Sequence, residues 1–285
     1  MAQRQQQVHP NDFQDSAAWE WIAEHEGFSI ADLRLKYGLE RPYFSWISQL
    51  EAKRKYTRKF GPLFEKQWLF PTGVPLEQSS SYATAWFKAA LVTTPYSIDL
   101  CAGMGIDSYA LSQRQGLKQH WANELNPDLA QLLQHNLATS KVSCTPAEEL
   151  FEAIEAWKQV LSISATELTI YIDPDRRAKG NKAHSIEHTV PNLPSLQGKW
   201  LECAHTLVSK HSPMTSLEEL YQLRGCAAIY AVEFLGECKE LLCVQRKDWV
   251  AAPEIHTAVI LEKKEVRLFT SSSTAPTVAH TDLIH

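Results

Sequence analysis

The sequence predicts an α/β fold, in which a helical N-terminal cap region precedes a seven-stranded Rossmann-like sheet. The first observation behind this prediction is an apolar run, residues 96–101, that ends in a turn containing Gly103 and Gly105. A buried strand, a glycine turn and a helix form the first half of a nucleotide-binding βαβ unit. The second observation is that further short apolar runs alternate with helical patterns to about residue 262. That alternation is typical of a parallel sheet with helices on its faces.

The turn after the first strand allows the backbone to approach a ligand closely. Ala102 begins the turn, and Gly103 and Gly105 have no Cβ atom, so the chain can bend sharply there. Asp99 lies within the preceding strand, and Asp107 lies in the helix that follows. We predict that these five residues contribute to a nucleotide-binding site.

Acidic residues follow two later strands at the same edge of the predicted sheet. Glu124 comes directly after the strand Gln119–Asn123, and a carboxylate there can accept hydrogen bonds from both hydroxyls of a ribose. Asp173 comes directly after the strand Leu168–Ile172. Because successive parallel strands end at one crevice, we expect Asp173 to lie beside Gly103 and Glu124.

The glycine turn and the acid after the second strand together resemble motif I of class I S-adenosylmethionine (SAM) methyltransferases. The resemblance implies that SAM is the cofactor, that Glu124 holds its ribose and that Asp99 accepts from its amino group. In that family an acid after the third strand receives the adenine amino group. Glu148 is the best match for it and Glu149 the second, although both also suit a helix N-terminus, where the dipole favours carboxylates.

The run that begins at Asp173 is similar to motif IV of amino- and base-directed methyltransferases, which is often Asn/Asp-Pro-Pro-aromatic. Asp173 and Pro174 match its first two positions, so the resemblance implies that they orient a planar nitrogen toward the methyl group. Asp175 and Arg176 stand where the second Pro and the aromatic residue would be, and this departure argues against a purine amino group as acceptor. Arg176 and Arg177 either bind a phosphate of the substrate or pair with nearby carboxylates and fix the loop.

Lys210 and His211 come at the end of the predicted fifth strand. RNA pyrimidine C5-methyltransferases, which have an Asp-Pro-x-Arg-like motif too, place a nucleophilic Cys after this strand, so a covalent Cys mechanism is not expected here. We assign Lys210 to the substrate side, and His211 either to a general base or to a structural role. No His, Cys and Asp cluster has the spacing of metal ligands, so we expect no metal.

Residues 51–70 carry the main basic run, with six basic and two acidic residues and interleaved aromatic rings. Lys53, Arg54 and Lys55 form its centre, and we assign them to RNA contacts through phosphates and stacked bases. The alternative is a solvated helix face, which is what charge runs usually form. The net charge of the whole chain is −5, so any surface that binds nucleic acid is expected to be a local patch.

Five stretches in chain order resemble one group of bacterial class I methyltransferases. Its members carry a helical N-terminal region and, in most cases, a C-terminal THUMP-like domain, a module that binds RNA elsewhere. Too few residues follow Leu261 for such a domain, so we expect it to be absent here. The stretches are L-E-Q-S-S-S-Y-A-T-A-W-F-K-A, D-L-C-A-G-M-G-I-D-S, Y-I-D-P-D-R-R, S-K-H-S-P-M and V-E-F-L-G-E-C-K-E-L.

Three regions are expected along the chain. Residues 1–75 form the helical N-terminal region, residues 76–262 form the methyltransferase domain, and residues 263–285, rich in Ser, Thr and Ala, form a disordered tail. Apolar residues make up 44% of the chain, which suits a soluble protein with a core, and no apolar run is long enough to span a bilayer. The N-terminus has no signal-peptide core, and the six cysteines form no C-x-x-C pair, so we expect reduced thiols and a cytoplasmic location.

The sequence therefore predicts a SAM-dependent methyltransferase that transfers a methyl group by direct displacement, with a base in RNA as acceptor. Two alternatives remain open: a SAM-binding module without transfer activity that acts through RNA or protein contacts, and a small-molecule methyltransferase. An NAD-dependent oxidoreductase is disfavoured, because Ser108 stands where the third glycine of the NAD fingerprint would be.

Overall fold

The computed structural model describes residues 7–38, 40–175, 185–260, 265–270 and 277–282, the last range by its backbone alone. In chain order its α-helices are α1 (Ser16–Glu24), α2 (Ile30–Tyr37), α3 (Tyr43–Phe60), α4 (Val74–Gln78), α5 (Tyr82–Ala90), α6 (Ile106–Ser112), α7 (Pro127–Asn136), α8 (Phe151–Leu161), α9 (Leu193–Cys203) and α10 (Leu217–Tyr221). Short 3-10 helices are Pro10–Phe13, Gly61–Glu65, Ala147–Glu149, Ala165–Glu167 and Ile186–His188.

A single sheet runs through the described part of the chain. Its strands are β1 (Tyr96–Asp99), β2 (Gln119–Asn123), β3 (Lys141–Ser143), β4 (Leu168–Ile172), β5 (Thr206–His211), β6 (Cys226–Phe234), β7 (Glu237–Arg246), β8 (Glu254–Ile260), β9 (Glu265–Thr270) and β10 (Thr277–Asp282). Their order across the sheet is β3-β2-β1-β4-β5-β7-β6-β8-β9-β10.

The first five strands are mutually parallel, with β1 at the centre between β2 and β4. Their carboxyl ends lie at one edge of the sheet, because Asp99 pairs in register with Ala122 on one side and with Tyr171 on the other. In an open parallel sheet, this edge is where ligands bind. The predicted α/β fold class with a Rossmann-like sheet is therefore confirmed.

The number of strands was predicted incorrectly, because ten are described instead of seven. Strand β7 pairs antiparallel with both β5 and β6, and β8 pairs parallel with β6. The expectation of a disordered tail after residue 262 was also wrong for part of that segment. Strands β9 and β10 continue the sheet by antiparallel pairing, β9 with β8 and β10 with β9.

Helices cover both faces of the sheet. On one face, side chains from β1 such as Ile98 pack with Ile154 of α8 and Trp200 of α9. On the other face, Tyr171 of β4 belongs to a cluster with Ala89 of α5. The strands that bear the predicted site are thus buried on both sides, and burial of this kind holds their ends in fixed positions.

The N-terminal helices pack on the second of these faces. Phe60, at the end of α3, is fully buried in the same cluster as Tyr171, and Leu50 of α3 shares a third cluster with Leu132 of α7. Asp15 caps α1 by accepting from the backbone N–H of Ala17. None of the helices in the described ranges is long and apolar enough to cross a membrane.

Candidate functional site

The glycine turn joins the end of β1 to the start of α6. Gly103 and Gly105 have φ angles of +57° and +91°, a region that side chains with a Cβ rarely adopt. A Cβ on Gly105 would lie 2.4 Å from Cδ2 of Leu133 in α7, so close packing also demands glycine there. A Cβ on Gly103 would meet no atom within 4 Å, so open space lies beside the backbone at this position.

Glu124 follows β2 and reaches the glycine turn directly. Its Oε2 accepts a hydrogen bond of 2.7 Å from the backbone N–H of Gly103, and its Oε1 accepts one of 2.8 Å from that of Asn126. Burial raises the pKa of Glu124, and these backbone donors oppose that shift. The Glu124 side chain is partly exposed. Its carboxylate lies between the open space at Gly103 and the start of α7.

Asp99 lies beneath the turn and is fully buried. Its Oδ1 accepts from the backbone N–H of Cys101 at 3.1 Å, and its Oδ2 accepts from the Ser108 hydroxyl at 2.7 Å. Burial raises the pKa of Asp99 to about 8, an effect that Asp107 reinforces and Ser108 opposes. The Ser108 hydroxyl, at the start of α6, thus holds the Asp99 carboxyl in place. The position of Ser108 at the third glycine of the NAD fingerprint gave no indication of this contact.

Four acids predicted from separate strand ends lie around the Cys101 thiol. Burial and then the charges of Asp99, Glu124, Asp173 and Glu148 raise its pKa well above the ordinary value. The structure therefore brings these four carboxyl groups into one neighbourhood. Glu148 lies in the 3-10 helix after β3 and is exposed to solvent.

The second landmark, at the end of β4, combines Asp173 with a lysine from β5. Lys210 Nζ donates to Oδ2 of Asp173 at 2.5 Å, so the predicted substrate-side lysine and the predicted catalytic acid form one pair. Burial opposes the Lys210 charge, but Asp173 and Glu240 raise its pKa overall. Pro174 is buried beside this pair. Arg176 and Arg177 lie outside the described residues.

A buried charge network continues behind this pair. Lys88 of α5 is fully buried, and its ammonium contacts Asp107 Oδ1 at 3.0 Å and Glu240 Oε1 and Oε2 at 2.8 and 3.0 Å. It also donates to the Ser80 hydroxyl at 2.6 Å. Glu240 of β7 lies 4.0 Å from Lys210, which links the network to Asp173.

Asp107 belongs to this network as well as to the glycine helix. Its Oδ2 accepts from the hydroxyls of Ser80 and Tyr171 at 2.9 and 2.8 Å. Burial disfavours its charge, but Lys88 and Lys210 lower the pKa of Asp107 overall. Asp107 contacts Ser80, Lys88 and Tyr171 of this chain, and its role in cofactor binding remains a prediction.

Sequence reasoning missed Lys88 and Glu240. One signal was available, because Lys88 stands between Phe87 and Ala89 on a helix whose other residues at this turn are apolar. A lysine in such a stretch is expected to have a buried acidic partner. Glu240 could not have been identified as that partner, since it lies 152 residues away in sequence.

The three residues at the centre of the basic run bind other parts of the chain. Lys53 pairs with Glu26, and Lys55 lies 3.3 Å from Glu77. Arg54 donates to the backbone oxygens of Glu26 and Phe28. These contacts fix α3 against the turn after α1 and against α4, and the Lys53 and Lys55 side chains remain largely exposed. The structure does not test their contact with RNA.

Two further expectations concern His211 and metals. His211 is buried at the end of β5, and its Nε2 lies 2.7 Å from the Ser209 hydroxyl. That environment suits a structural histidine. Within the residues that the structure describes, no group of three or more His, Cys, Asp or Glu side chains could hold a metal ion.

Comparison with known proteins gives a fold and no closer relationship. No protein-family model and no curated protein matches the chain. A solved structure described as a putative methyltransferase from Porphyromonas gingivalis W83 is similar, with a TM-score of 0.71 at 22% sequence identity. The likeness covers 92% of this chain and 64% of that protein, so the chain spans just under two thirds of its length.

The chain has the class I methyltransferase fold. Two other structures are less similar. A predicted O-methyltransferase from Agrobacterium tumefaciens has a TM-score of 0.41 at 16% identity, over 68% of this chain and 91% of that one. The METTL16 methyltransferase domain has a TM-score of 0.44 at 13% identity, over 71% of this chain and 80% of that one. In this methyltransferase fold, strands β8 to β10 extend the sheet beyond the β6–β7 hairpin.

Proposed function

We propose that this protein is a SAM-dependent methyltransferase. The observation that carries the proposal is the arrangement at one sheet edge, where the glycine turn, Glu124 and Asp173 occupy the ends of three neighbouring strands of a methyltransferase fold. The fold alone does not establish an activity, because one fold hosts many functions. The site residues therefore carry the functional argument.

The residues present fit SAM. Gly103 offers an approachable backbone, since a Cβ there would project into open space. Glu124 lies beside that space and has lone pairs for ribose hydroxyls in addition to its two backbone contacts. Asp99, beneath the turn, would accept from the amino group of SAM, and the exposed Glu148 would receive the adenine amino group. Ala102, Gly105 and Asp107 would shape and support the turn.

When bound, SAM would supply a methyl group activated by its sulfonium. Asp173 and Pro174 would orient the acceptor atom, by a carboxylate oxygen and a backbone carbonyl oxygen. Direct displacement needs little covalent help from the protein, so rate enhancement would come mainly from holding the reacting atoms in line. Lys210 would fix the Asp173 carboxylate in one orientation.

We propose a base in RNA as the acceptor. The support is the exposed basic run on α3, whose Lys53 and Lys55 charges remain accessible, together with a site suited to a planar nitrogen. Loss of RNA affinity in a variant with Lys53, Arg54 and Lys55 changed to Gln, and a weaker salt dependence, would support this acceptor. Unchanged RNA affinity and unchanged salt dependence would show that the basic run does not contact RNA.

A second function, SAM binding without transfer, is favoured by one observation. Asp173 already has a close partner in Lys210, and an ion pair of this kind can stabilise the sheet edge without contacting a substrate. The two functions differ in a direct assay. Bound SAM whose methyl group reaches neither RNA nor a metabolite extract would favour the binding module, and methylation of a small molecule alone would favour the small-molecule enzyme.

The experiment that tests the cofactor is calorimetric titration of SAM, NAD and NADP into the protein. We expect SAM to bind and the Glu124→Ala variant to lose most of that affinity. Glu124→Gln separates two causes, because its amide oxygen can still accept from Gly103 while the carboxylate charge is lost. Glu152→Ala, an exposed acid on α8, is the matched control. Binding of NAD in place of SAM would refute the proposed function.

A further inference from the structure

The Asp173–Lys210 pair presents unused hydrogen-bonding capacity at the site. Lys210 Nζ has three N–H donors, and one of them bonds to Asp173 Oδ2. Among the described residues, no other hydrogen bond uses Lys210 Nζ, and none uses Oδ1 of Asp173. The Asp173 side chain is 36% exposed and that of Lys210 is 13% exposed. An acceptor oxygen and an ammonium donor therefore lie side by side at the mouth of the site.

The buried network keeps this donor available. Glu240 is the nearest alternative partner for Lys210, but Lys88 binds both of its carboxylate oxygens, at 2.8 and 3.0 Å. The remaining separation between Lys210 and Glu240 is 4.0 Å, which is beyond a hydrogen bond. Glu240 is therefore engaged by Lys88 and makes no hydrogen bond with Lys210, while the Glu240 charge still helps to raise the pKa of Lys210.

We propose that the Asp173–Lys210 pair selects a nucleobase lactam, the uracil or guanine class, and directs methylation to its ring nitrogen. This inference rests on the proposed methyltransferase function and narrows its substrate. A lactam presents a ring N–H beside a carbonyl oxygen, which is the complement of an acceptor beside a donor. Asp173 Oδ1 accepts from the N–H, and Lys210 donates to the carbonyl oxygen.

A ring lactam nitrogen and an amino group differ in the charge that the acceptor develops during methylation. A ring lactam nitrogen is a weak nucleophile until it loses its proton, and the negative charge then spreads to the carbonyl oxygen. An ammonium at that oxygen stabilises the charge as it develops. The adenine and cytosine amino groups also lie beside an acceptor, but an ammonium on that ring nitrogen would withdraw electrons and weaken the amino nucleophile.

The atoms of the transfer balance without a further reagent. The ring nitrogen gives its proton along the hydrogen bond to Asp173, and thence to solvent at this partly exposed side chain. The nitrogen lone pair forms a bond to the methyl carbon. The bond from that carbon to sulfur breaks, and its electron pair stays on sulfur, so the cationic sulfonium becomes a neutral thioether.

The test uses the full chain, SAM and an unmodified random-sequence RNA transcript, followed by digestion and mass spectrometry of the nucleosides. We expect the methyl group on a ring nitrogen of uridine or guanosine. Lys210→Met should lower kcat about 10²–10³-fold, as removal of one donor to a developing oxyanion does. It should also shift the rising limb of the pH–rate profile to higher pH, because the acceptor must then lose its proton without a neighbouring cation.

Two further variants make the result specific. Lys210→Arg keeps the cation and should recover part of kcat and the wild-type pH limb. Lys247→Met makes the same change near the opposite end of β5, where Lys247 pairs with Glu202 on the surface, and should leave kcat unchanged. A purely structural role for Lys210 would lower the melting temperature without moving the pH limb.

The possible products decide between the claims. Methylation only of an adenosine or cytidine amino group, of a ring carbon or of a ribose hydroxyl would overturn the lactam inference and leave the methyltransferase function intact. Bound SAM with no transfer to the transcript would overturn the RNA acceptor and the lactam inference together. Failure to bind SAM would refute the proposed function itself.

Discussion

Replacing Lys88 by Met tests whether the buried charge network holds the acceptor side of the site together. Met has nearly the same length as Lys and suits an apolar helix face, so the main change is the loss of the ammonium. Asp107 would keep its hydroxyl donors, Ser80 and Tyr171. Glu240, which is 3% exposed, would keep only Lys210 at 4.0 Å.

The expected cost follows from burial. Removing one member of a buried ion pair typically costs about 3–5 kcal/mol, because an uncompensated charge is left behind. For a chain of this length, that loss corresponds to a fall in melting temperature of about 5–8 °C. Burial raises the pKa of Asp107 and Lys88 opposes that effect, so without Lys88 the buried carboxyl resists ionisation and the variant loses stability as pH rises above the ordinary carboxyl range. The destabilisation should therefore be smaller at pH 5 than at pH 7.5.

Urea unfolding followed by tryptophan fluorescence is a suitable assay, since the chain has nine tryptophans. The double variant Lys88→Met/Glu240→Gln removes the second charge and should recover about 1–3 kcal/mol relative to the sum of the two single changes. A loss below about 1 kcal/mol in Lys88→Met, a loss that does not change with pH, or strict additivity in the double variant would refute this account of the network.

Two other predictions concern the glycine turn. Asp99→Asn should gain stability relative to the wild type as pH rises from 5 to 8, by about 1.4 kcal/mol per pH unit at most. The reason is that the folded-state pKa of Asp99, about 8, lies above the ordinary value of 3.8, so the native carboxyl resists ionisation. Urea unfolding at four pH values measures this difference, and parallel pH curves for the two proteins would contradict it. Gly105→Ala should cost about 2–4 kcal/mol through the left-handed φ and the contact with Leu133, whereas Gly103→Ala should cost only about 1 kcal/mol and yet weaken SAM binding. Equal losses of stability in the two glycine variants, or unchanged SAM affinity in Gly103→Ala, would count against the proposed cradle.

Local sequence patterns were sufficient for the parallel half of the fold. Strand β4 has the predicted bounds, Leu168–Ile172, because a short β-branched and apolar run stops at the polar Asp173. Ser79 and Ser81 are extended and separate α4 from α5, and Ser81 caps α5. Serine side chains compete for backbone hydrogen bonds, which favours such a cap at the start of a helix.

The parts of the site that escaped sequence analysis are those made by distant segments. Asp99, in β1, and the acids that follow β2 and β4 could be predicted together, because the topology of a parallel sheet alone places strand ends side by side. The pairing of Lys88 with Glu240 requires β7 to lie beside β5. The strand order in the antiparallel half of the sheet cannot be predicted from local sequence patterns. Strands β9 and β10 likewise depend on pairing with β8 and with each other, which the local sequence does not specify.

The long separation between Lys88 and Glu240 also bears on how the protein is made. Contacts between residues far apart in sequence form late, because a large loop must close before they stabilise anything. During synthesis, the segment with the glycine turn and Glu124 leaves the ribosome well before β7 does, since chains emerge from the N-terminus. Glu240, the buried partner of Lys88, lies in the last third of the chain, so the network of Lys88 and Asp107 is completed only after that part is synthesised. A polypeptide stalled before residue 237 would therefore have the glycine turn and Glu124 but lack the strand that carries Glu240.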